Sequence, residues 1–138
     1  MITVVLDTNV LLVSLPKKSV YRPIFDALLN GNFNLALSND ILSEYTEIIE
    51  QKANAIVASN IAEMLLSLDN LTKVDVYFEW NLIENDADDN KYADTAIAAS
   101  ADFIVTNDQH FKILKSIDFP KVNVIDINKF LKMIQKDS

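Results

Sequence analysis

The stretch MITVVLDTNVLL, residues 1–12, runs a nearly continuous set of aliphatic residues, Ile2, Val4, Val5 and Leu6, straight into an aspartate, Asp7. β-Branched and bulky residues without polar alternation predict a strand covered on both faces, as in a parallel sheet. Asp7 then stands at the end of a buried strand, where a carboxylate losing its water costs free energy that something must offset.

Working outward, four further apolar runs predict strands at residues 33–37, 73–76, 103–106 and 122–125. Helical patterns fall between them, at about residues 21–29, 41–52, 55–68, 92–101, 110–115 and 129–135. Ile61, Leu65 and Leu68 recur at the three- and four-residue spacing of an amphipathic helix face. Strands alternating with helices indicate an α/β sheet with covering helices. Residues 77–92, YFEWNLIENDADDNKY, are acidic and rich in turn-forming Asn and Asp, which reads as a loop at one edge of the sheet. With 138 residues and no repeat or linker, a single domain is expected over 1–135, with 136–138 as a frayed tail.

Composition removes several chemistries. The chain has no cysteine, so disulfides, thiolate nucleophiles and zinc–thiolate sites are excluded. One histidine, His110, cannot build a multi-histidine metal site, and one glycine, Gly31, cannot supply a phosphate-cradling glycine loop. No apolar run reaches the length of a membrane span, and the first residues lack signal-peptide features, so a cytoplasmic protein without a membrane partner is expected. The 12 basic and 20 acidic residues leave a formal net charge of −8, which lowers the expectation of a nucleic-acid partner without excluding one. Lys17, Lys18 and the one arginine, Arg22, cluster after the first strand, and bound divalent cations would offset several negatives.

The remaining chemistry belongs to carboxylates. Asp7 follows the first strand, Glu44 lies early in the helix after the second, and Asp108 follows the fourth. Asp94 sits in the small, apolar helix leading into that fourth strand, so its place at the same edge depends on the preceding loop. In a parallel sheet, ligands collect at the carboxyl ends of strands. Acids converging there repel one another and are partly dehydrated, and a hard divalent cation bound by oxygens resolves the cost. Mg²⁺ or Mn²⁺ suits such a donor set and can activate water and stabilise the departing oxygen of a phosphodiester. Each acid also has a plain structural role open to it: Asp7 as the cap of a turn, Asp108 as the cap of a helix, Glu44 as an exposed helix residue, Asp94 as a partner of the helix dipole.

Taken together, these segments resemble the PIN-domain family, in particular its bacterial toxin-like, VapC-like members. VVLDTNVLL (residues 4–12) is similar to the family's opening motif, LSEY (42–45) to its glutamate-bearing helix, and DTAIAASADFIVTND (94–108) to its third and fourth acidic positions. DADDNKYAD (86–94) is similar to the D-P-D-D-N-K signature of one toxin-like subgroup, with Ala87 in place of the usual proline. The resemblance implies a three-layer α/β/α sandwich around a central, mainly parallel five-stranded sheet. It also implies a Mg²⁺- or Mn²⁺-dependent ribonuclease acting on single-stranded RNA, the toxin of a toxin–antitoxin pair, restrained by a small antitoxin and forming a homodimer. Asp7, Glu44, Asp94 and Asp108 are then the catalytic, metal-binding acids. Asp89 is a fifth candidate, holding a second metal or capping the helix that carries Asp94. Thr8 and Asn9 match the polar pair that orients the first acid.

Lys17, Lys18 and Arg22 are the candidates for guiding RNA phosphates, against the default of a solvated charge cluster. Tyr77, Phe78 and Trp80 could stack a base or bury a partner's side chain, with core packing the preferred reading for at least two of them. His110 is read as incidental. Two rival functions remain: a haloacid-dehalogenase-like phosphatase, against which Asn9 stands where the second aspartate belongs, and a PIN fold kept as a non-catalytic binding module.

Overall fold

The computed structural model describes residues 1–137. Five strands, β1 (Thr3–Leu6), β2 (Asn34–Leu37), β3 (Leu71–Lys73), β4 (Phe103–Val105) and β5 (Val124–Ile125), form one sheet in the order β3-β2-β1-β4-β5. Every pairing is parallel. Val4, Val5 and Leu6 have no accessible surface although successive strand residues point to opposite faces, so helices cover both sides and the fold is a three-layer α/β/α sandwich. Each such side chain contributes on the order of 1.5–3 kcal/mol by leaving water, which makes the centre of the sheet the least negotiable part of the molecule.

The helices are α1 (Thr8–Ser14), α2 (Arg22–Leu29), α3 (Asn39–Lys52), α4 (Ala55–Ser67), α5 (Asn90–Ala98) and α6 (Ile127–Asp137), with tighter 3-10 turns at Ala87–Asp89 and Gln109–Ser116. Gly31, at φ +75°, ends α2: its N–H and that of Asn32 return to the carbonyls of Leu28 and Ala27, and the chain turns into β2. α6 runs through Asp137, into the stretch expected as a tail, and Ser138 lies outside the described residues.

Three of the departures from the sequence expectation have a local cause. A seven-residue helix, α1, follows Asp7 directly, because the Asp7 carboxylate accepts from Asn9 N and caps it. β3 begins two residues before the expected 73–76, since Leu35 N bonds Asn70 O and starts the ladder there. The ladder stops at Val74 N to Leu37 O, where β2 gives way to α3 and leaves residues 75–76 no partner. α5 starts at Asn90 rather than Tyr92, because Asp86 accepts from Asp88 N and opens the turn that leads in. It ends at Ala98, where Ser100 adopts φ +52° and the N–H of Ala101 closes on Ala96 O.

The switch in direction of the strand order lies between β1 and β4, which pair as Leu6 with Val105. Both strands release their chains at that edge, and the crevice at such a switch point is where open α/β sheets bind ligands.

Candidate active site

Asp7 and the segment Thr106–Asp108 leave neighbouring strand ends, and the backbone ties them: Asp7 N donates to Val105 O at 3.1 Å. Thr106 completes the link with both sides of its hydroxyl. Its Oγ1 donates to Asp7 Oδ2 at 2.6 Å and accepts from Asp108 N at 3.0 Å, so one threonine fixes the relation between two acids. Asp7 Oδ1 accepts from Asn9 N at 3.4 Å. Burial pushes the Asp7 carboxyl up; the bonds from Thr106 and Asn9 oppose this, and the charges of Asp108 and Glu44 add to it. Nothing in the sequence reading singled out Thr106, although a hydroxyl one residue past a buried strand and two before an acid was the available signal.

Asp89 joins this pair. It precedes α5 but does not cap it, as its side chain makes no capping hydrogen bond. Its Oδ2 is buried without a hydrogen-bond partner. Burial, then the charges of Asp108, Asp86 and Asp7, push its pKa up to about 7, with His110 acting in the opposite direction. His110 stands in the middle of the group: its Nδ1 lies 3.0 Å from Asp108 Oδ1, 3.5 Å from Asp86 Oδ2 and 3.5 Å from Asp89 Oδ2. The histidine read from sequence as incidental is therefore central, brought there by the turn that Asp108 caps through His110 N at 2.8 Å.

Glu44 adjoins Asp7 through Thr8. Thr8 Oγ1 donates to Glu44 Oε2 at 2.5 Å and contacts Tyr92 Oη at 2.6 Å, while Tyr92 Oη donates to the same Glu44 oxygen. Lys91 Nζ closes on Glu44 Oε1 at 2.7 Å and on Asp88 Oδ1 at 2.9 Å. Burial works against the Glu44 charge, but bonds from Lys91, Thr8 and Tyr92 outweigh it and hold the carboxyl below its usual range. Lys91 is raised in turn, since Glu44 and Asp88 outweigh its own burial. Neither Lys91 nor Tyr92 was foreseen; both lie in the first turns of α5, between the acids Asp89 and Asp94 that were.

Asp94 stands apart from this group. It is buried in the second turn of α5, and its Oδ1 accepts from Trp80 N at 3.1 Å. One turn earlier, Asn90 bonds both the N–H and the carbonyl of Ile83, at 2.9 and 3.1 Å. The two side chains pin the 80–83 loop onto the helix. Burial raises the Asp94 carboxyl, the Trp80 bond opposes it, and the charge that raises it further is that of Glu79 rather than of Asp7 or Asp108. Asp94 faces a cleft of about 720 Å³ together with Glu44, Glu79, Asp88 and Lys91, whereas Asp7 and Asp108 line a separate groove of about 330 Å³ with Asn9, Val13 and Tyr21.

The basic cluster is divided. Lys17 and Lys18 are exposed, on the turn between Val13 and Tyr21, which line the groove of Asp7 and Asp108. Arg22 is engaged by its own surroundings: Nε binds Asp26 at 2.9 Å, a terminal nitrogen donates to Leu15 O, and the guanidinium lies 4.9 Å from the centre of the Phe25 ring. Against the expectation of core packing for at least two of the three, Tyr77 and Phe78 are exposed and Trp80 is half-buried, because the segment after β3 has no strand partner and runs over the surface; Phe78, Trp80 and Phe119 stack edge to face, at 4.7 and 6.1 Å between ring centres.

Asp86, Asp89 and His110 bring one donor atom each within 4.8 Å of one another beside Asp108, and Asp89 Oδ2 is left buried and unbonded, which fits a divalent cation. The family model for the PIN domain matches residues 3–110. The chain belongs to the PIN domain family, a family of nucleases. Its fold is similar to that of a chain in the crystal structure of VapBC2 from Rickettsia felis bound to a DNA fragment from their promoter. The likeness has a TM-score of 0.61 and 21% sequence identity, and covers 90% of this chain and 98% of that one. No curated protein is similar enough to the chain to count as a match.

Proposed function

We propose that this protein is a divalent-metal-dependent endoribonuclease that hydrolyses phosphodiester bonds in single-stranded RNA, acting as the toxin of a toxin–antitoxin pair. One observation carries the reading: Asp7, Asp89 and Asp108 meet at the switch crevice although burial and mutual repulsion raise Asp7 and Asp89. A fold that keeps acids together at such a cost gains when a cation binds them. Asp7, Asp89 and Asp108 would hold the metal, Mg²⁺ or Mn²⁺, with Glu44 beside them. Asp94, a candidate from sequence, serves instead to fasten the 80–83 loop.

When bound there, such a cation would supply water activation and stabilisation of the departing oxygen. The chain's own residues orient and shield. Thr106 holds Asp7 against Asp108, Asn9 N fixes the second Asp7 oxygen, and Thr8, Tyr92 and Lys91 hold Glu44 ionised. Lys17 and Lys18, on the turn above the Asp7 groove, attract the phosphate backbone. The antitoxin partner, a homodimer and a cytoplasmic setting accompany this reading. The VapBC2 likeness supports the paired arrangement, and among the described residues no helix is long and apolar enough to cross a membrane.

The test is cleavage of a single-stranded RNA beside a generic phosphomonoester, with Mn²⁺ and with excess chelator. Wild type should cut RNA only with metal and leave the monoester intact, and Asp7→Asn and Asp89→Asn should each lose at least about a hundredfold in rate, the scale of a lost electrostatic contact at the reacting centre. Cleavage undiminished in chelator would refute the metal; turnover of the monoester alone would favour a phosphatase; binding of RNA without cleavage would favour a binding module.

A further inference from the structure

We propose that His110 is itself a metal ligand, so that the site is a mixed imidazole–carboxylate centre with a preference for Mn²⁺, or another imidazole-accepting transition ion, over Mg²⁺. The inference rests on the reading of the crevice as a divalent-cation centre and adds to it the identity of one ligand and, through that ligand, the class of metal.

His110 Nδ1, rather than the outer ring nitrogen, faces the acids, at 3.0 Å from Asp108 Oδ1 and 3.5 Å from both Asp86 Oδ2 and Asp89 Oδ2. Donors on adjacent vertices around an octahedral ion with bonds of about 2.1–2.2 Å lie about 3 Å apart, so the spacing is that of groups sharing one ion. One donor atom each from Asp86, Asp89 and His110 falls within 4.8 Å of the others. A surface histidine paired with a carboxylate is commonplace, but here the same ring nitrogen faces three acids. One of the three, Asp89, also has a buried oxygen with no hydrogen bond, so the group is not completed by protein donors.

The turn that brings the ring there is built for placement. Asp108 caps the Gln109–Ser116 segment through His110 N, fixing the histidine backbone against the acid its ring also meets. Phe111, the next residue, is fully buried and packs edge to face on Tyr92 at 5.9 Å, which anchors the turn against α5.

The metal class follows from ligand chemistry. Mg²⁺ takes oxygen and keeps much of its water, whereas a neutral imidazole is a good ligand for Mn²⁺ and later first-row ions. A site of carboxylates alone would bind Mg²⁺ and Mn²⁺ with little to separate them. Adding His110 shifts the balance toward the transition ion.

Because His110 is the one histidine in the chain, the test is unambiguous. Electron spin-echo spectroscopy of Mn²⁺ bound to the full-length protein should show imidazole ¹⁴N coupling that disappears in His110→Asn. By calorimetry, that variant should bind Mn²⁺ about 10–100-fold more weakly, the range seen when a group supporting a metal is lost, and Mg²⁺ with much less change. The wild-type spectrum needs no variant, so a misfolded mutant cannot obscure the result. Mn²⁺ bound without ¹⁴N coupling, or an unchanged Mn²⁺ to Mg²⁺ affinity ratio in the variant, would overturn the assignment of His110 and leave the nuclease reading standing. No Mn²⁺ binding in wild type would overturn both.

Discussion

Replacing Asp89 by Asn should stabilise the metal-free protein at alkaline pH, and the effect should reverse its meaning when metal is added. Asp89 has a pKa of about 7 in the fold against 3.8 in the unfolded chain, so between those values the native state holds a proton that the unfolded state releases. Stability therefore falls as pH rises from about 4 to about 7, and the full penalty is present above that window. A shift of about three units has a ceiling of about 4 kcal/mol, and solvent screening at this partly open crevice brings it to about 2 kcal/mol. For a chain of this size that is on the order of 5–10 °C in melting temperature. In chelator, Asp89→Asn should melt higher than wild type by that amount at pH 8 and by nothing at pH 4. Adding Mn²⁺ at a hundred times its Kd should raise wild type by about 2.7 kcal/mol and the variant by much less. Thermal melts over a grid of pH and Mn²⁺ decide the matter. A variant that melts below wild type at pH 8 in chelator, or one that gains as much from Mn²⁺, would refute the account of Asp89 as a strained ligand.

Three further outcomes separate the roles of neighbouring residues. Asp94→Asn should keep Mn²⁺ affinity within about threefold, because the amide oxygen still accepts from Trp80 N, whereas Asp94→Ala should lose about 1–2 kcal/mol in denaturant melts as that bond goes; a large loss of Mn²⁺ binding in the Asn variant would return Asp94 to the metal site. Lys91→Met should cost about 2 kcal/mol near neutral pH by leaving Glu44 without its cation. Because the folded Glu44 pKa is lowered, that difference should be present above pH 4.5 and shrink as pH falls through the folded value, so a pH-independent loss would contradict it. Lys17→Ala with Lys18→Ala should weaken RNA binding and lower the salt slope by about one to two units, while Arg22→Ala should lower the melting temperature and leave the slope unchanged; equal slopes in all three proteins would place substrate elsewhere.

The fold was legible because its decisive element is unusual in composition. Residues 2–6 can hardly be anything but a doubly covered strand, and Val4, Val5 and Leu6 are indeed without accessible surface. Once that strand is parallel and central, the alternation of the remaining runs leaves few topologies. The errors fall where tertiary pairing overrides local pattern. Residues 75–76 are expected to continue the strand, but a strand needs a neighbour, and β2 ends at Leu37. No helix is expected over residues 8–14, because their helical character depends on the cap that Asp7 supplies and on the burial of Val10 and Leu11.

The two strand-end acids, Asp7 and Asp108, lie together as their positions after neighbouring strands predict, whereas Asp94, on α5, lies apart from them. Asp94 stands out in the sequence because its apolar neighbours promise burial, and that burial comes with the 80–83 loop folding over it and offering Trp80 N. Asp89, a fifth candidate open to a second metal or to capping the helix of Asp94, sits in an acidic run whose pattern does not separate the two roles. Its cost appears only when Asp7, Asp86 and Asp108 are seen around it, and no periodicity encodes that convergence. The same convergence bears on the charge of −8 that argued against a nucleic-acid partner. Asp7, Asp86, Asp89 and Asp108 contribute four of the 20 acids, and they gather where a cation would neutralise part of their charge, on the crevice a phosphodiester must approach, beside exposed Lys17 and Lys18. Net charge averages over the surface, whereas a polyanion is attracted or repelled by the field at the groove it enters.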